Sequence, residues 1–164
     1  MADVGSKRRG RPRGTAPAAL PGVVDAVKAL AHPGRLRTLA MLRGGDLCVC
    51  QLTAVLELAA STVSSHLSDL RRAGLVAERR HGKWVHYHLV RTGPLADLVR
   101  RALRLVEGDG RLVQDARLVA DLRRIPLETF CDLGFDRRTV GLVPRLAPPG
   151  RAGGGRASKG VNRR

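Results

Sequence analysis

Apolar residues fall along this chain in short runs of helical spacing, interrupted once by a stretch that alternates with a period of two. Val23, Val27 and Leu30 recur three and four residues apart, as one face of a helix does, until His32-Pro33 breaks the run. Pro33 is placed to open a second helix, because its fixed φ suits the first helical position. That helix is expected to turn Leu36, Leu39 and Ala40 inward until Gly44-Gly45 stops it. After Asp46-Leu47 a third helix uses Leu52, Val55 and Leu56, and a fourth uses Val63, Leu67 and Leu70 and ends at Ala73-Gly74. Two short helices separated by three or four residues predict a helix-turn-helix.

The period then changes. Leu75 and Val76 enter a strand, Arg79-Arg80-His81-Gly82-Lys83 reads as a basic turn, and Trp84 to Leu89 alternate as a returning strand, which together predict a β-hairpin wing. Thr92 is placed to cap a helix starting at Pro94, whose Leu95, Leu98, Val99, Ala102, Leu103 and Val106 form an apolar stripe. A further helix is expected over Arg111 to Arg124. With little core left to cover, these stripes predict a dimer interface. The fold class is therefore mainly α with a small β-hairpin: a dimeric winged helix-turn-helix with basic tails. The expected divisions are a disordered basic arm at 1–18, a winged-helix DNA-binding and sensor domain at 19–109, a helical C-terminal extension at 110–146 and a disordered basic tail at 147–164.

Charge sharpens this picture. The 164 residues carry a formal charge of +16, which suits a polyanionic partner, since each base that meets a phosphate releases condensed counterions. The first fourteen residues hold five bases and Asp3, and the last fourteen hold five bases and no acid, leaving +7 for the middle. The excess is thus not confined to the ends. No stretch approaches the ~20 apolar residues that span a bilayer, and the N-terminus lacks an apolar signal core, so a cytoplasmic location and no membrane partner are expected. Three cysteines, two of them one residue apart, make a poor disulfide framework, because neighbours at that spacing seldom bridge. Reduced thiols are expected instead.

From Ala29 to Leu89 the chain resembles the ArsR/SmtB family of metal-responsive repressors. The resemblance is carried by Leu30-Ala31-His32-Pro33-Gly34-Arg35, Asp46-Leu47-Cys48-Val49-Cys50-Gln51-Leu52, Ser61-Thr62-Val63-Ser64-Ser65-His66-Leu67, Leu70-Arg71-Arg72-Ala73-Gly74-Leu75-Val76 and the wing. It implies a homodimer whose terminal helices pair, with the fourth helix in the major groove and the wings on flanking DNA. Leu47-Cys48-Val49-Cys50 looks like the arsenic-type site at the start of the third helix. The family's third thiol, one turn on, is Thr53 here, and the glycine and polar cap usual in the following turn are Glu57 and Ala59. The extension past about Arg111 lies outside the resemblance.

Two soft thiolates within reach of one ion select thiophilic species such as arsenic, antimony, cadmium or lead over oxygen-loving ions, and the resemblance puts arsenite or antimonite ahead of cadmium or lead. Residues two apart on a helix point about 200° apart. For Cys48 and Cys50 to grip one ion the first turn must unwind or bend, straining the scaffold in front of the recognition helix. Trivalent arsenic favours three thiolates, and the only other sulfur in a cysteine is that of Cys131, a third candidate ligand whose neighbours Phe130, Leu133 and Phe135 suit plain burial equally well. His86 and His88 share a strand face but lack a third ligand and are read as surface residues.

For DNA contact the candidates are Ser61, Thr62, Ser64, Ser65 and His66 on the recognition helix, and Arg79, Arg80 and Lys83 at the wing tip. Ser61 and Thr62 are equally suited to capping that helix. Lys7 to Gly14 resembles an AT-hook, in which Arg9 and Arg11 would reach the floor of a narrow A·T minor groove. The function expected is a repressor of a metalloid-resistance operon, bound to double-stranded operator DNA and released by the inducer. The alternatives are a thiol-redox or cadmium/lead-responsive repressor, or a sequence-tolerant architectural DNA-binding protein. No Ser-His-acid or paired-carboxylate arrangement stands out, and no enzyme is expected.

Overall fold

The computed structural model describes residues 18–132. The arm with Arg9 and Arg11, the tail at 147–164 and the side chain of Cys131 lie outside the described residues. The elements run α1 (Leu20–Leu30), α2 (Pro33–Leu42), β1 (Leu47–Cys48), α3 (Val49–Leu56), α4 (Ala60–Arg72), β2 (Val76–His81), β3 (Trp84–Leu89), α5 (Pro94–Leu105), α6 (Gly110–Leu122) and α7 (Leu127–Asp132).

The helix-turn-helix stands where the periodicity places it: α3 and α4 are separated by three residues, and Val63, Leu67 and Leu70 are fully buried. α1 departs from expectation. Its core-facing residues are Ala26 and Ala29, whereas Val27 is 51% exposed. Two alanines one turn apart let α1 lie close to its neighbours, and the bulkier valines are left on the outer face.

Local chemistry explains the start of α2. His32 is the N-cap, its Nδ1 accepting from the Gly34 N–H at 3.1 Å, and Pro33 follows at the first helical position. At the start of α5 the expected cap does not form. Gly93 takes the N-cap position with no side-chain hydrogen bond, so Thr92 plays no capping part.

The sheet has three strands rather than a two-stranded hairpin, in the order β1-β3-β2 and antiparallel throughout. β1 pairs Leu47 with Tyr87 and Cys48 with His86. The wing turn is tighter than the sequence suggested. His81 pairs with Trp84, leaving Gly82-Lys83 as a two-residue turn, and Gly82 at φ +58° supplies the left-handed conformation that such a turn needs. Arg79 and Arg80 consequently belong to β2.

The expected C-terminal helix is present as α6, capped by Asp109, whose Oδ1 accepts from the N–H groups of Arg111 and Leu112 at 2.9 and 3.2 Å. It packs into the same core as the helix-turn-helix through Leu118, Val119 and Leu122, and α7, which periodicity did not indicate, adds the fully buried Phe130. Arg37 on α2 grips Asp115 of α6 through two hydrogen bonds of 2.7 and 2.8 Å, and Arg123 donates to the Gly44 carbonyl at 2.6 Å.

Candidate sensor site and nucleic-acid interface

Cys48 is both the last residue of β1 and the N-cap of α3, with an extended backbone at φ −87° and ψ 167°. Cys50 sits inside the first turn of α3. Because Cys48 is outside the helix, the 200° divergence expected of two helical positions does not apply. The Cα atoms are 5.5 Å apart, and the structure pairs the two sulfurs directly as a disulfide. Two expectations are corrected here. No unwinding of α3 is needed to bring the sulfurs together, and neighbours at this spacing do meet, because a strand-to-helix junction turns both side chains to the same side. A capping box reinforces the junction: Gln51 Oε1 accepts from the Cys48 N–H at 3.1 Å, and the Cys48 sulfur faces the Gln51 N–H where a serine or threonine hydroxyl is usual.

The pair is buried, Cys48 at 2% and Cys50 at 8% exposure. One turn on, the Thr53 hydroxyl oxygen is buried without a hydrogen-bond partner among the described residues. Among the described residues no group of three His, Cys, Asp or Glu side chains gathers around one point, so the cysteine pair stands without a third ligand of these types there. His86, opposite Cys48 in the ladder, is the neighbour that sequence reasoning missed. Only the unforeseen strand β1 reveals it.

The C-terminal end of α3 is tied down separately. Arg37 donates to the Val55 carbonyl at 3.3 Å while holding Asp115, and that carboxylate is the first cause of the raised pKa of its guanidinium. Glu57 ends the helix in the left-handed conformation at φ 56°, where a glycine would be unstrained.

α4 presents Ser61, Thr62, Ser64 and Ser65 to the outside. Its N-cap is Ala59, which makes no side-chain hydrogen bond, so the capping role open to Ser61 and Thr62 is not used. An uncapped N-terminus lined with hydroxyls leaves backbone N–H groups available to an anion. His66 is different. It is 7% exposed and turned inward, its ring 4.5 Å from that of His32, and its Nε2 lacks a partner among the described residues. This corrects its place among the outward DNA-contacting candidates: position 66 falls on the side of α4 that meets α2. A Cβ on Gly34 would lie 3.0 Å from His66 Nε2, so only a glycine admits the ring without displacement. Arg35 completes this joint, donating to the Ala29 and Lys28 carbonyls at 2.6 and 2.9 Å and reaching Asp69 at 3.3 Å.

On the wing, Arg79 lies 2.7 Å from Asp46, Arg80 is exposed, and Lys83 Nζ stands 4.9 Å from the centre of the Trp84 ring. The structure therefore gathers two outward sets, the α4 hydroxyls and the wing cations, and one inward sulfur pair at the base of the same helix-turn-helix.

A helix-turn-helix with an outward second helix, followed by a two-stranded wing, defines the winged helix-turn-helix class. Residues 32–78 match the family described as "Bacterial regulatory protein, arsR family". The chain is similar to the arsenic resistance transcriptional regulator ArsR1 of Pseudomonas putida, at 51% identity over 38% of this chain and 49% of that one. It is similar also to ArsR2 of the same organism, at 36% identity over 56% of this chain and 93% of that one. The aligned part thus spans about half of the first relative and nearly all of the second. Among solved structures, reduced HlyU from Vibrio cholerae is 36% identical, with a TM-score of 0.47 over 52% of this chain and 88% of that one. The chain belongs to the arsR family of bacterial regulatory proteins.

Proposed function

We propose that this chain is a cytoplasmic, homodimeric transcriptional repressor that holds double-stranded operator DNA through α4 and the wing and releases it when trivalent arsenic or antimony binds Cys48 and Cys50. The observation that carries the reading is the buried sulfur pair at the strand-to-helix junction, one short helix and a three-residue turn ahead of the exposed face of α4. A thiophilic ion held there bears on the placement of α3, and through Glu57 to Ala59 on that of α4. The arsenic resistance regulators among the relatives support the same inducer class.

On the DNA side, Ser61, Thr62, Ser64 and Ser65 are placed for base edges and phosphates, and Arg79, Arg80 and Lys83 for flanking phosphates, with Arg9 and Arg11 following the minor groove. For the dimer, Leu20, Val24 and Val27 of α1 and Leu105 of α5 are large apolar residues left in the open. The third donor for pyramidal arsenic comes from Thr53, Cys131 or a solvent thiol.

The test is a duplex selected from a random library, bound to the reduced full chain and titrated with arsenite, antimonite, Cd(II) and Pb(II). Release by the first two, abolished in Cys48→Ser and Cys50→Ser while DNA affinity stays within a few-fold, is expected. Serine variants that lose DNA outright, or a wild type that ignores all four, would contradict the reading. The direct pairing of the sulfurs favours a second reading, a thiol-oxidation sensor. In that case an oxidant such as diamide releases the DNA, a dithiol restores it, and arsenite does neither.

A further inference from the structure

A groove of about 430 Å³ opens between α5, the end of β3 and the C-terminal end of α2, and its lining includes neither cysteine and no residue of α4. Its volume falls in the range of small-ligand sites, roughly 300–1,000 Å³. The floor is apolar: Leu89, Ala96, Val99 and Leu103 are each at most 8% exposed. The rim is cationic, with Arg43, Arg91, Arg100 and Arg104 set against the single carboxylate of Glu107.

These charges are unequally engaged. Arg43 pairs with Glu107 at 3.2 Å, and Arg100 with Asp97 on its own helix at 2.6 Å. Arg91 donates only to the Arg43 carbonyl at 3.4 Å, and no ion pair among the described residues engages Arg91 or Arg104. Guanidinium groups over an apolar floor differ from an ordinary solvated basic face. An apolar body seated on the floor displaces water, and the charge pairing at its edge strengthens as the local dielectric falls. We infer that the groove between α5 and the wing stem is a binding site for a small amphipathic anion, an apolar acyl or aryl body bearing one carboxylate.

An occupant would touch Arg43, from which Gly44-Gly45-Asp46 lead into β1, and Leu89, which ends β3. The site is independent of the metalloid reading.

The experiment titrates the reduced full chain with octanoate, 1-octanol and octylammonium by calorimetry, with amide chemical shifts to locate the site. Saturable octanoate binding is expected, at one site per protomer, with shifts centred on residues 89–91 and 96–104. The alcohol and the ammonium should bind at least tenfold more weakly. Arg91→Glu and Arg104→Glu should each weaken octanoate at least tenfold, and the milder Arg104→Gln severalfold, which guards against a misfolded charge reversal. The inference is overturned if octanoate does not saturate, if 1-octanol binds as tightly, if the shifts fall elsewhere, or if the arginine variants lose DNA affinity while octanoate binding is unchanged, since the rim would then be a phosphate-contact face.

Discussion

Arg35 and Arg37 leave α2 two residues apart and join it to different parts of the molecule by different physics. Arg37 reaches α6 through a two-pronged pair with Asp115, whose side chain is 4% exposed, and it also holds the last turn of α3. Arg35 reaches α4 through one contact of 3.3 Å with Asp69, whose side chain is 37% exposed, beside the tilted rings of His32 and His66. The first joint is buried at its carboxylate, geometrically over-determined and costly to break. The second is half-wet and holds by a loose ion pair and two histidines. In the proposed release mechanism this asymmetry would matter: α6 clamps α3 through Arg37 and Asp115, and the α2–α4 joint would be the one to yield.

The comparison breaks most directly at Asp115. Asp115→Ala leaves the Arg37 guanidinium uncompensated and should lower unfolding stability by about 3 kcal/mol, the lower end for a disrupted buried pair because Arg37 keeps some contact with water. Denaturant melts of the wild type, the single variant and an Arg37→Met/Asp115→Leu double variant check this. The double variant should recover most of the loss, and a loss under ~1 kcal/mol in the single variant would make the two joints alike.

Next in size is the pH response of the α2–α4 joint. Burial lowers the His66 pKa from 6.5, and the positive charges of His32 and Arg35 lower it further against the opposing pull of Asp69. The unfolded chain therefore takes up the proton first. The joint's contribution is complete above pH 6.5 and is lost as pH falls from there through the lower folded value. Thermal melts between pH 7.5 and 5.5 should show this slope in the wild type, and His66→Gln should flatten it. An unaltered slope would place the titration elsewhere.

A smaller effect is expected in the turn between the two joints. Glu57 occupies the left-handed region, which costs a side-chain-bearing residue about 1 kcal/mol, so Glu57→Gly should raise stability by up to about that amount. Smallest of all, Asp69→Asn removes a partly solvated pair and should change stability by only about 0.5 kcal/mol. If it instead cost as much as Asp115→Ala, the view of the α2–α4 joint as the yielding one would fall.

What the sequence determined by itself was the helix-turn-helix, the wing and the sulfur pair's address, because each rests on interactions between near neighbours in the chain. Period-3.6 burial set α4 from Val63, Leu67 and Leu70, alternation set the wing from Trp84 to Leu89, and Pro33 after His32 set the start of α2. Tertiary structure decided the rest. Two residues at Leu47–Cys48 are too short to announce a strand, and β1 exists only because β3 offers its edge; that pairing makes Cys48 extended and turns its sulfur toward Cys50. Which face of α1 goes inward depended on how closely α2 and α5 approach, and so fell to Ala26 and Ala29. His66 carried the same helical signal as its serine neighbours. It went inward because a glycine 32 residues earlier left room for its ring, and that complementarity is visible only once α2 and α4 are packed together.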